Sequence, residues 1–418
     1  MKSTDVLVIG AGPAGSVAAA LLNKAGLSAH VVEKENFPRF VIGESLLPRC
    51  MAVLENCDLL NAVKAKNFQE KFGAKFVREH EVSDFNFSNQ FSDGWNWTWQ
   101  VPRAEFDSVL INTVRERGVP VDFGTTVTAI EFQKDESSIT TVQTPSGGSE
   151  KIRAKFIIDA SGFGRVIPRL FKLDKPSTLI PRKAVFAHVE DNLRNFYEEP
   201  NRIIIINYAP GAWVWIIPFS SGITSLGFVS EHKFFEPYGA DSQAIFSSLV
   251  DNHAYLKSRF HGSRLIFEPR KLEGWSTKTK RFFGDGFVLT GNVTEFLDPI
   301  FSSGVMFATV SSELATKLVI QKLKGEKINW QAEYTDTLQS GVDTFKAFVN
   351  SWYDGTLEKI FYYKDQHPDI KKQICSILAG YVWDHNNPFV RNPEGELTRL
   401  AKFISFEERM SVLDQKNG

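Results

Sequence analysis

The N-terminal part of the chain joins two short apolar runs through a glycine-rich turn, a pattern typical of a strand–helix–strand unit. Residues 5–9 form a continuous apolar run that predicts a buried strand. Pro13 stands just inside a helix predicted for 13–25, and Gly26 stands just past its end, which is the usual asymmetry of helix starts and stops. Residues 29–33 predict the second strand.

The hydrophobic period changes twice further along the chain. Residues 45–66 predict a helical region, whereas between 72 and 101 apolar and polar residues alternate, which predicts strands with one buried face. The alternating positions are Phe85, Phe87, Trp95, Trp97, Trp99 and Val101. The pattern then predicts a helix at 103–117, strands near 121–132, 138–144 and 155–159, antiparallel strands within 183–231, a strand at 286–290, a helix at 304–323, and a helical tail from 331.

Composition excludes several classes of protein. The 418 residues carry 48 basic and 49 acidic side chains, without the basic excess that nucleic-acid binding requires. The eight histidines are scattered, so no metal site is predicted. Residues 5–22 are apolar enough to resemble a signal peptide or a membrane span, but their glycines and proline favour a strand–turn–helix. We expect a cytoplasmic protein without a membrane span, whose three cysteines stay reduced, namely Cys50, Cys57 and Cys375.

The glycine-rich turn has the spacing Gly10-x-Gly12-x-x-Gly15, directly after a strand and at the start of a helix. The first glycine allows a tight turn, the second lets a diphosphate approach the backbone, and the third lets the helix pack on the strand. Pro13 and Ala14 complete the helix start, whose N–H groups attract phosphate. Glu33, followed by Lys34, ends the second strand, where a carboxylate can accept ribose hydroxyls. The motif predicts a dinucleotide site; the alternative is a glycine-rich turn in an unrelated α/β protein.

Three later segments resemble those of the p-hydroxybenzoate-hydroxylase-like and geranylgeranyl-reductase-like FAD oxidoreductases. They are VPRAEFD at 101–107, IIDASGFGR at 157–165 and GDGFVLTGNVTEFLDP at 284–299. The family usually has Gly-Asp where this chain has Gly291-Asn292, and asparagine keeps hydrogen-bonding capacity without the charge. The resemblance implies FAD as the cofactor and adds, as FAD contacts, Arg39, Gly43, Glu44, Ser45, Arg103, Val127, Asp159, Ala160, Ser161, Gly162, Gly291, Asn292, Pro299, Ser303, Gly304 and Val305.

Within that superfamily, residues 1–330 are most similar to the flavin-dependent halogenases of the phenol or pyrrole type. Trp213-x-Trp215-x-Ile217-Pro218 matches the WxWxIP of those enzymes, and DPIFSSGV at 298–305 resembles their DPxFSSGV segment. The resemblance implies that reduced FAD and O₂ oxidise a halide ion to hypohalous acid, which travels to a separate substrate pocket. Phe301, Ser302 and the two tryptophans are the expected substrate or halide contacts.

The family guides hypohalous acid with a lysine on an early strand of the substrate domain. KFGAKF at 71–76 offers Lys71 and Lys75, which would share one face of a continuous strand. Alignment with tryptophan-directed members favours Lys75, and alignment with phenol-directed members favours Lys71; we lean to Lys75. Tryptophan-directed enzymes have a glutamate where this chain has Phe301, so the expected substrate is a small electron-rich aromatic compound, either free or attached to a carrier protein.

No second glycine triplet follows a strand, so a separate flavin reductase is expected to supply reduced FAD. Two alternatives stay open: a monooxygenase, dehydrogenase or isoprenoid-type reductase on the same scaffold, and a non-catalytic flavin-binding protein. The predicted fold is α/β, a Rossmann-like FAD-binding domain interrupted by an antiparallel β-sheet substrate domain. The predicted FAD-binding domain comprises 1–75, 101–175 and 270–330, the substrate domain 76–100 and 176–269, and a helical C-terminal region 331–418.

Overall fold

The computed structural model describes residues 1–417, with side chains as far as Leu413. The chain forms two compact units, each assembled from three separate stretches. The first unit contains residues 1–68, 99–180 and 275–338, and the second contains 69–98, 181–274 and 339–418. The α/β class predicted from the sequence is confirmed.

The first unit is built on a sheet whose central strand is the apolar run near the N-terminus, β1 (Lys2–Ile9). It pairs in parallel with β2 (Ala29–Val32) on one side and with β10 (Ser149–Asp159) on the other. The residues from Val6 to Ile9 are buried without alternation, as expected for a parallel strand that is covered on both faces. Leu7 and Ile9 join an apolar cluster on one face, and the helix α1 (Pro13–Lys24) covers the other.

The strand order of this sheet is β18-β19-β10-β1-β2-β7, with β9 also paired to β10 and β8 paired to β9. Its other strands are β7 (Val121–Asp122), β8 (Thr126–Phe132), β9 (Ser138–Gln143), β18 (Phe283–Gly284) and β19 (Phe287–Leu289). A smaller sheet contains β11 (Asp174–Lys175), β17 (Thr277–Thr279) and β20 (Glu295–Phe296). The remaining helices of the unit are α2 (Arg49–Asn56), α3 (Leu60–Lys64), α4 (Arg103–Glu116), α5 (Val166–Leu170) and α9 (Ser303–Leu323), followed by a π-helical segment at Trp330–Asp336.

The second unit is built on a mostly antiparallel sheet in the order β16-β12-β15-β14-β13-β4-β5. Its strands are β3 (Gln69–Lys71), β4 (Gly73–Arg78), β5 (Glu81–Asn86), β12 (Lys183–Glu190), β13 (Ile204–Ala209), β14 (Ala212–Pro218), β15 (Ile223–Ser230) and β16 (Arg270–Glu273), and β6 (Thr98–Gln100) lies at the boundary of the unit. Its helices are α6 (His232–Phe235), α7 (Ser242–Asp251), α8 (Ala254–Phe260), α10 (Thr337–Tyr353), α11 (Thr356–Phe361), α12 (Pro368–Leu378), α13 (Pro388–Arg391) and α14 (Pro393–Asn417).

The two faces of this sheet carry different side chains. Val214 and Ile216 of β14 belong to an apolar cluster with residues of α7 and α8. Because successive side chains of a strand point to opposite faces, Trp213 and Trp215 lie on the other side of the sheet. The residues at 339–418 belong to the same unit as the sheet, whereas the functional division into three regions stays a prediction.

The strand predicted through Trp95 and Trp97 is wrong, because the strand begins at Thr98. Gly94 has a φ of +130°, and Gln90 Nε2 donates to the carbonyls of Ser92 and Trp95, so a turn occupies this segment. The two indole rings lie edge to face at 5.7 Å. Alternation of tryptophans here reflects ring packing rather than a pleated strand.

Candidate functional site

The glycine-rich turn between β1 and α1 shows three different reasons for glycine. Gly10 has a φ of +100°, and a Cβ there would lie 2.6 Å from the carbonyl oxygen of Ala160. A Cβ at Gly15 would lie 1.9 Å from the carbonyl oxygen of Gly10. A Cβ at Gly12 would meet Arg39 Nη2 at 3.4 Å and nothing nearer. Gly10 and Gly15 are therefore required by the packing of the chain itself, whereas Gly12 leaves a bare surface at a helix N-terminus, which fits a diphosphate.

The carboxylate of Glu33 lies directly behind this turn. Its Oε2 accepts the N–H of Ala11 at 2.8 Å, and its Oε1 accepts the N–H of Glu35 at 2.9 Å. Glu33 is buried, and each oxygen keeps a lone pair for a hydroxyl donor. Lys34 is largely exposed beside Glu35. The site thus presents an oriented acid next to the bare glycine, as a ribose requires.

A buried carboxylate, Asp107, connects two arginines that the sequence analysis selected. Arg103 donates to it through Nε at 2.8 Å and Nη2 at 3.0 Å, and Arg39 donates through Nη1 at 3.1 Å. Arg103 Nη1 also donates to the carbonyl of Gly43 at 3.2 Å. Sequence reasoning missed Asp107, although its position four residues after Arg103 on a predicted helix indicates a contact. The cluster fixes two cations within the first unit.

Three other residues that were predicted to contact FAD also lie in the first unit. Glu44 and Ser45 are buried, and Ser45 forms an antiparallel bridge with Gln100. Val127 lies on β8 and packs against the apolar cluster under the sheet. These positions help to shape the unit around the arginines and β1.

Asp159, at the end of β10, organises the turn that faces Gly10. Its Oδ1 accepts the N–H of Ser161 at 3.0 Å, and its Oδ2 accepts the N–H of Ile167 at 2.7 Å. Burial raises the pKa of this carboxyl above its usual value, and the hydrogen bonds offset the shift only in part. Ala160 donates its N–H to the carbonyl of Ile9 at 2.9 Å, which holds the turn beside β1.

The turn at Gly291 and Asn292 rests on a small polar cluster. Gly291 has a φ of +65° and donates its N–H to Ser311 Oγ at 2.8 Å, while Thr290 Oγ1 lies 2.7 Å from the same oxygen. Tyr334 donates its hydroxyl to the carbonyl of Leu289 at 2.5 Å, and burial raises its pKa. Asn292 is half-buried on this supported turn. Sequence reasoning missed Ser311 and Tyr334, because no motif connects them to residue 291.

The serine-rich segment leads into α9 through a second constrained turn. Pro299 begins a short 3-10 turn, Phe301 is buried, and Ser302 has a φ of +59° at the N-cap of α9. The helix starts at Ser303, so its first backbone N–H groups, including those of Gly304 and Val305, have no partner within the helix. The turn therefore aims several donors away from the helix, which suits an anion.

The tryptophans of the second unit are fixed by their own hydrogen bonds. Trp213 donates its Nε1 to the Tyr353 hydroxyl at 2.9 Å, and Trp215 donates its Nε1 to Ser225 Oγ at 3.0 Å. A Cβ at Gly227 would lie 2.1 Å from the Trp215 ring. Both indole rings are therefore buried and held in fixed orientations.

The two candidate lysines have different environments in the second unit. The prediction that they share one strand is wrong, because Lys71 ends β3 and Lys75 lies on β4, separated by Phe72 and by Gly73 with a φ of +153°. Lys71 is 3% exposed, and its Nζ lies 5.4 Å from the centroid of the Phe87 ring. Lys75 forms an ion pair with Glu199 at the surface of the unit.

The described residues hold neither a membrane-spanning helix nor a cluster of metal ligands. Across residues 1–417, no helix combines the length and apolarity that crossing a bilayer requires. Within the same range, no group of three or more His, Cys, Asp or Glu side chains is placed to hold a metal ion.

Comparison with protein families decides the cofactor. Residues 3–262 match the family described as FAD binding domain. The chain belongs to this family. Its cofactor is FAD, and the chemistry of the glycine turn, Glu33 and the arginine cluster fits a dinucleotide.

Relatives of this FAD-binding protein are flavin-dependent halogenases. The 1H-pyrrole-2-carbonyl-[peptidyl-carrier protein] chlorinase of Pseudomonas fluorescens is 28% identical over 91% of this chain and 89% of its own. The corresponding brominase of Pseudoalteromonas luteoviolacea is 28% identical over 92% and 93%. The predicted resemblance is confirmed: the protein is a halogenase-like, FAD-dependent oxidoreductase.

Two solved structures add detail. A flavoprotein/dehydrogenase from Cytophaga hutchinsonii is 52% identical, with a TM-score of 0.95 over 97% of this chain and 100% of its own. A flavin-dependent brominase is 26% identical, with a TM-score of 0.83 over 95% and 100%. The fold is therefore shared along nearly the whole chain.

Proposed function

We propose that the protein halogenates an electron-rich aromatic ring, a pyrrole or a phenol, that is attached to a carrier protein. The observation that carries this proposal is the pair of rigid tryptophans in a chain that aligns over nine-tenths of its length with carrier-directed pyrrole halogenases. Tryptophan-directed halogenases have a glutamate where this chain has Phe301. We therefore propose a substrate ring that reacts without an activating carboxylate. Halide is the proposed co-substrate.

The proposed reaction replaces an aromatic C–H bond by a carbon–halogen bond. Reduced FAD, O₂, a halide ion, a proton and the aromatic C–H give oxidised FAD, the aryl halide and two molecules of water. Reduced FAD, when bound, would supply two electrons to O₂ and the halide ion would supply the other two, which gives oxidised FAD, hypohalous acid and one molecule of water. The aromatic carbon then displaces water from the halogen and loses its proton.

The chain's own residues would bind and orient these reactants. The bare backbone at Gly12 and the N-terminus of α1 would hold the diphosphate, and Glu33 would accept from the ribose. Arg39 and Arg103 would be held by Asp107, which limits their motion. The first N–H groups of α9 would hold the halide, since chloride and bromide are anions.

We propose that Lys71 directs hypohalous acid to the substrate, although the sequence favoured Lys75. The Lys71 ammonium is buried beside an aromatic ring. In such a place it could donate a hydrogen bond to a neutral oxidant without competition from bulk water. The Lys75 side chain, by contrast, is 21% exposed and forms an ion pair with Glu199, which is 44% exposed, so bulk water reaches it. A carrier-protein partner, a separate flavin reductase as the source of reduced FAD, and a cytoplasmic location belong to the same proposal.

The experiment incubates the purified protein with FAD, a flavin reductase, O₂ and bromide, together with pyrrolyl and phenolic thioesters on a carrier protein. We expect a brominated acyl group in the mass spectrum of the carrier, and no product when bromide is omitted. If the substrate is hydroxylated instead, or if bromide leaves the product unchanged, the proposal is wrong.

Two matched variants test the lysine. Lys71→Met should lower product formation by roughly a hundredfold or more, the range for a positioned proton donor, with unchanged FAD binding and unchanged consumption of reduced FAD. Lys75→Met should keep activity within about threefold, since a solvated ion pair contributes little. Full activity of Lys71→Met would contradict the assignment.

Dehydrogenation is the second candidate, because the structure at 52% identity is described as a flavoprotein/dehydrogenase. It would consume substrate anaerobically with oxidised FAD and would need no halide. Bleaching of the flavin spectrum by substrate under argon would favour this candidate over halogenation.

A further inference from the structure

The last helix of the second unit, α14, is anchored at its start and exposed at its end. Leu397 and Ile404 are buried, and Lys359 donates to Ser405 Oγ at 2.7 Å across the contact with α11. From Phe406 to Leu413, by contrast, every side chain is exposed. This second half of the helix leaves most of its circumference to solvent.

Apolar side chains line one exposed face of α14 from Phe403 to Leu413. Phe403, Phe406, Met410 and Leu413 are 53%, 52%, 42% and 53% exposed. Their spacing of three, four and three residues is that of alternating a and d positions in a heptad. We name these four residues the C-terminal seam. An apolar stripe of this kind on the exposed face of a helix marks an interaction surface.

The charged residues beside the C-terminal seam indicate which partner the seam can bind. Lys402 and Arg409 precede the a positions, which makes them g residues, and Glu407 follows a d position, which makes it an e residue. In a parallel pair, Lys402 of one copy faces Glu407 of the second copy, in both directions. In an antiparallel pair centred on residue 408, Glu407 would face Glu407 and Arg409 would face Arg409. The pattern is thus attractive in one orientation and repulsive in the other.

We propose that the C-terminal seam pairs in parallel with the same seam of a second copy, so that the protein forms a homodimer through α14. Four apolar side chains per copy make a short coiled coil, well below the standard interface of about 1,600 Å². The dimer is therefore weak and dissociates on dilution. This inference is independent of the proposed chemistry.

Sedimentation equilibrium of the full-length protein over a range of concentrations tests the oligomeric state. We expect a shift from the monomer mass of 47.1 kDa to twice that value as the concentration rises. Phe406→Lys combined with Met410→Lys places charges in the seam and should leave a monomer at every concentration. Val412→Lys is the matched control, since Val412 is 51% exposed on the same helix but outside the seam. FAD uptake should be normal in both proteins.

Charge exchange tests the pairing. Lys402→Glu and Glu407→Lys should each raise the dimer dissociation constant by about tenfold, since each reverses two g–e contacts. The double variant should restore the dissociation constant of the unmodified protein. A simple loss of helix stability would not be rescued in this way.

A cysteine variant tests the orientation. Phe406→Cys should form a disulfide-linked dimer with itself on mild oxidation, because identical d positions meet in a parallel pair. The native cysteines are buried and should not interfere. The proposal is overturned by a monomer at all concentrations, by a dimer that survives Phe406→Lys with Met410→Lys, by cross-linking of Phe406→Cys solely to a Met410→Cys copy, or by a monomer that binds lipid vesicles through the seam.

Discussion

The substitution Gly12→Ala separates the packing of the glycine turn from its use as a phosphate site. Gly12 has φ −69° and ψ −173°, a conformation open to alanine, and its new Cβ would meet Arg39 Nη2 at 3.4 Å. Loss of unfolded-state entropy favours alanine by about 0.4–1 kcal/mol, and alanine is a poorer N-cap by a similar amount. The free energy of unfolding without FAD should change by less than about 1 kcal/mol.

The effect on FAD should be much larger. A methyl group on the bare surface would displace the diphosphate from two backbone N–H donors. Hydrogen bonds to a charged acceptor contribute about 1.5–3 kcal/mol each. The loss of roughly 3–6 kcal/mol corresponds to an increase in the FAD dissociation constant of about 10²- to 10⁴-fold.

The assay measures FAD dissociation by titration of flavin fluorescence, and stability by urea unfolding of the apoprotein. Gly15→Ala is the matched control, since its Cβ would lie 1.9 Å from a backbone oxygen. It should lower the free energy of unfolding by about 3 kcal/mol or more, the upper range for overpacking. If Gly12→Ala binds FAD within threefold of the unmodified protein, the diphosphate does not lie at this turn.

Asp107, Asp159, Cys57 and Cys375 are buried, and the consequences of their burial can be measured. Asp107→Asn should lower the free energy of unfolding by about 3–5 kcal/mol in urea titrations, because two arginines lose the charge they share; an unchanged midpoint would show that the cluster is solvated. The pKa of Asp159 is raised in the folded state, so the folded protein binds the proton of this carboxyl more tightly than the unfolded chain does. The contribution of Asp159 to stability is therefore largest at low pH. It declines as the pH rises through the interval between the unfolded and the folded pKa. The free energy of unfolding relative to Asp159→Asn should therefore fall from acid to neutral pH, and a rise would contradict the shift. Burial raises the pKa of Cys57 and of Cys375 to about 12, so a thiol-specific disulfide reagent should react with neither until urea unfolds the chain, and rapid reaction in buffer would refute their burial.

The dinucleotide fold was largely predictable from local sequence signals. The run from Val6 to Ile9, Pro13 at the helix start and Gly26 at its end each encode their element through neighbouring residues. Gly10 and Gly15 were equally predictable, since the motif specifies a turn and a close approach.

Contacts between distant segments were not predictable in the same way. Tyr334 supports the turn at Gly291 through the carbonyl of Leu289, which is 45 residues away. Trp95 and Trp97 show the alternating spacing of a strand, but in the structure this spacing brings their two rings into contact within a turn. The separation of Lys71 from Lys75 depends on the backbone of Gly73, whose φ no hydrophobic pattern reveals.

The position of β1 in the middle of its sheet affects how the protein is made. The turn after β1 is supported by Ala160, and α1 is held by Ser312, which donates to the carbonyl of Ala14 at 2.6 Å. At about 5–20 residues per second, a ribosome needs roughly 15–60 seconds to extend the chain from this turn to α9. During the first part of that interval β2 is the only strand neighbour of β1 that has been made, because β10 begins at Ser149. The N-terminal turn therefore reaches its final packing only after Ala160 and then Ser312 have been synthesised, so a phosphate site at the start of the chain is completed late in translation.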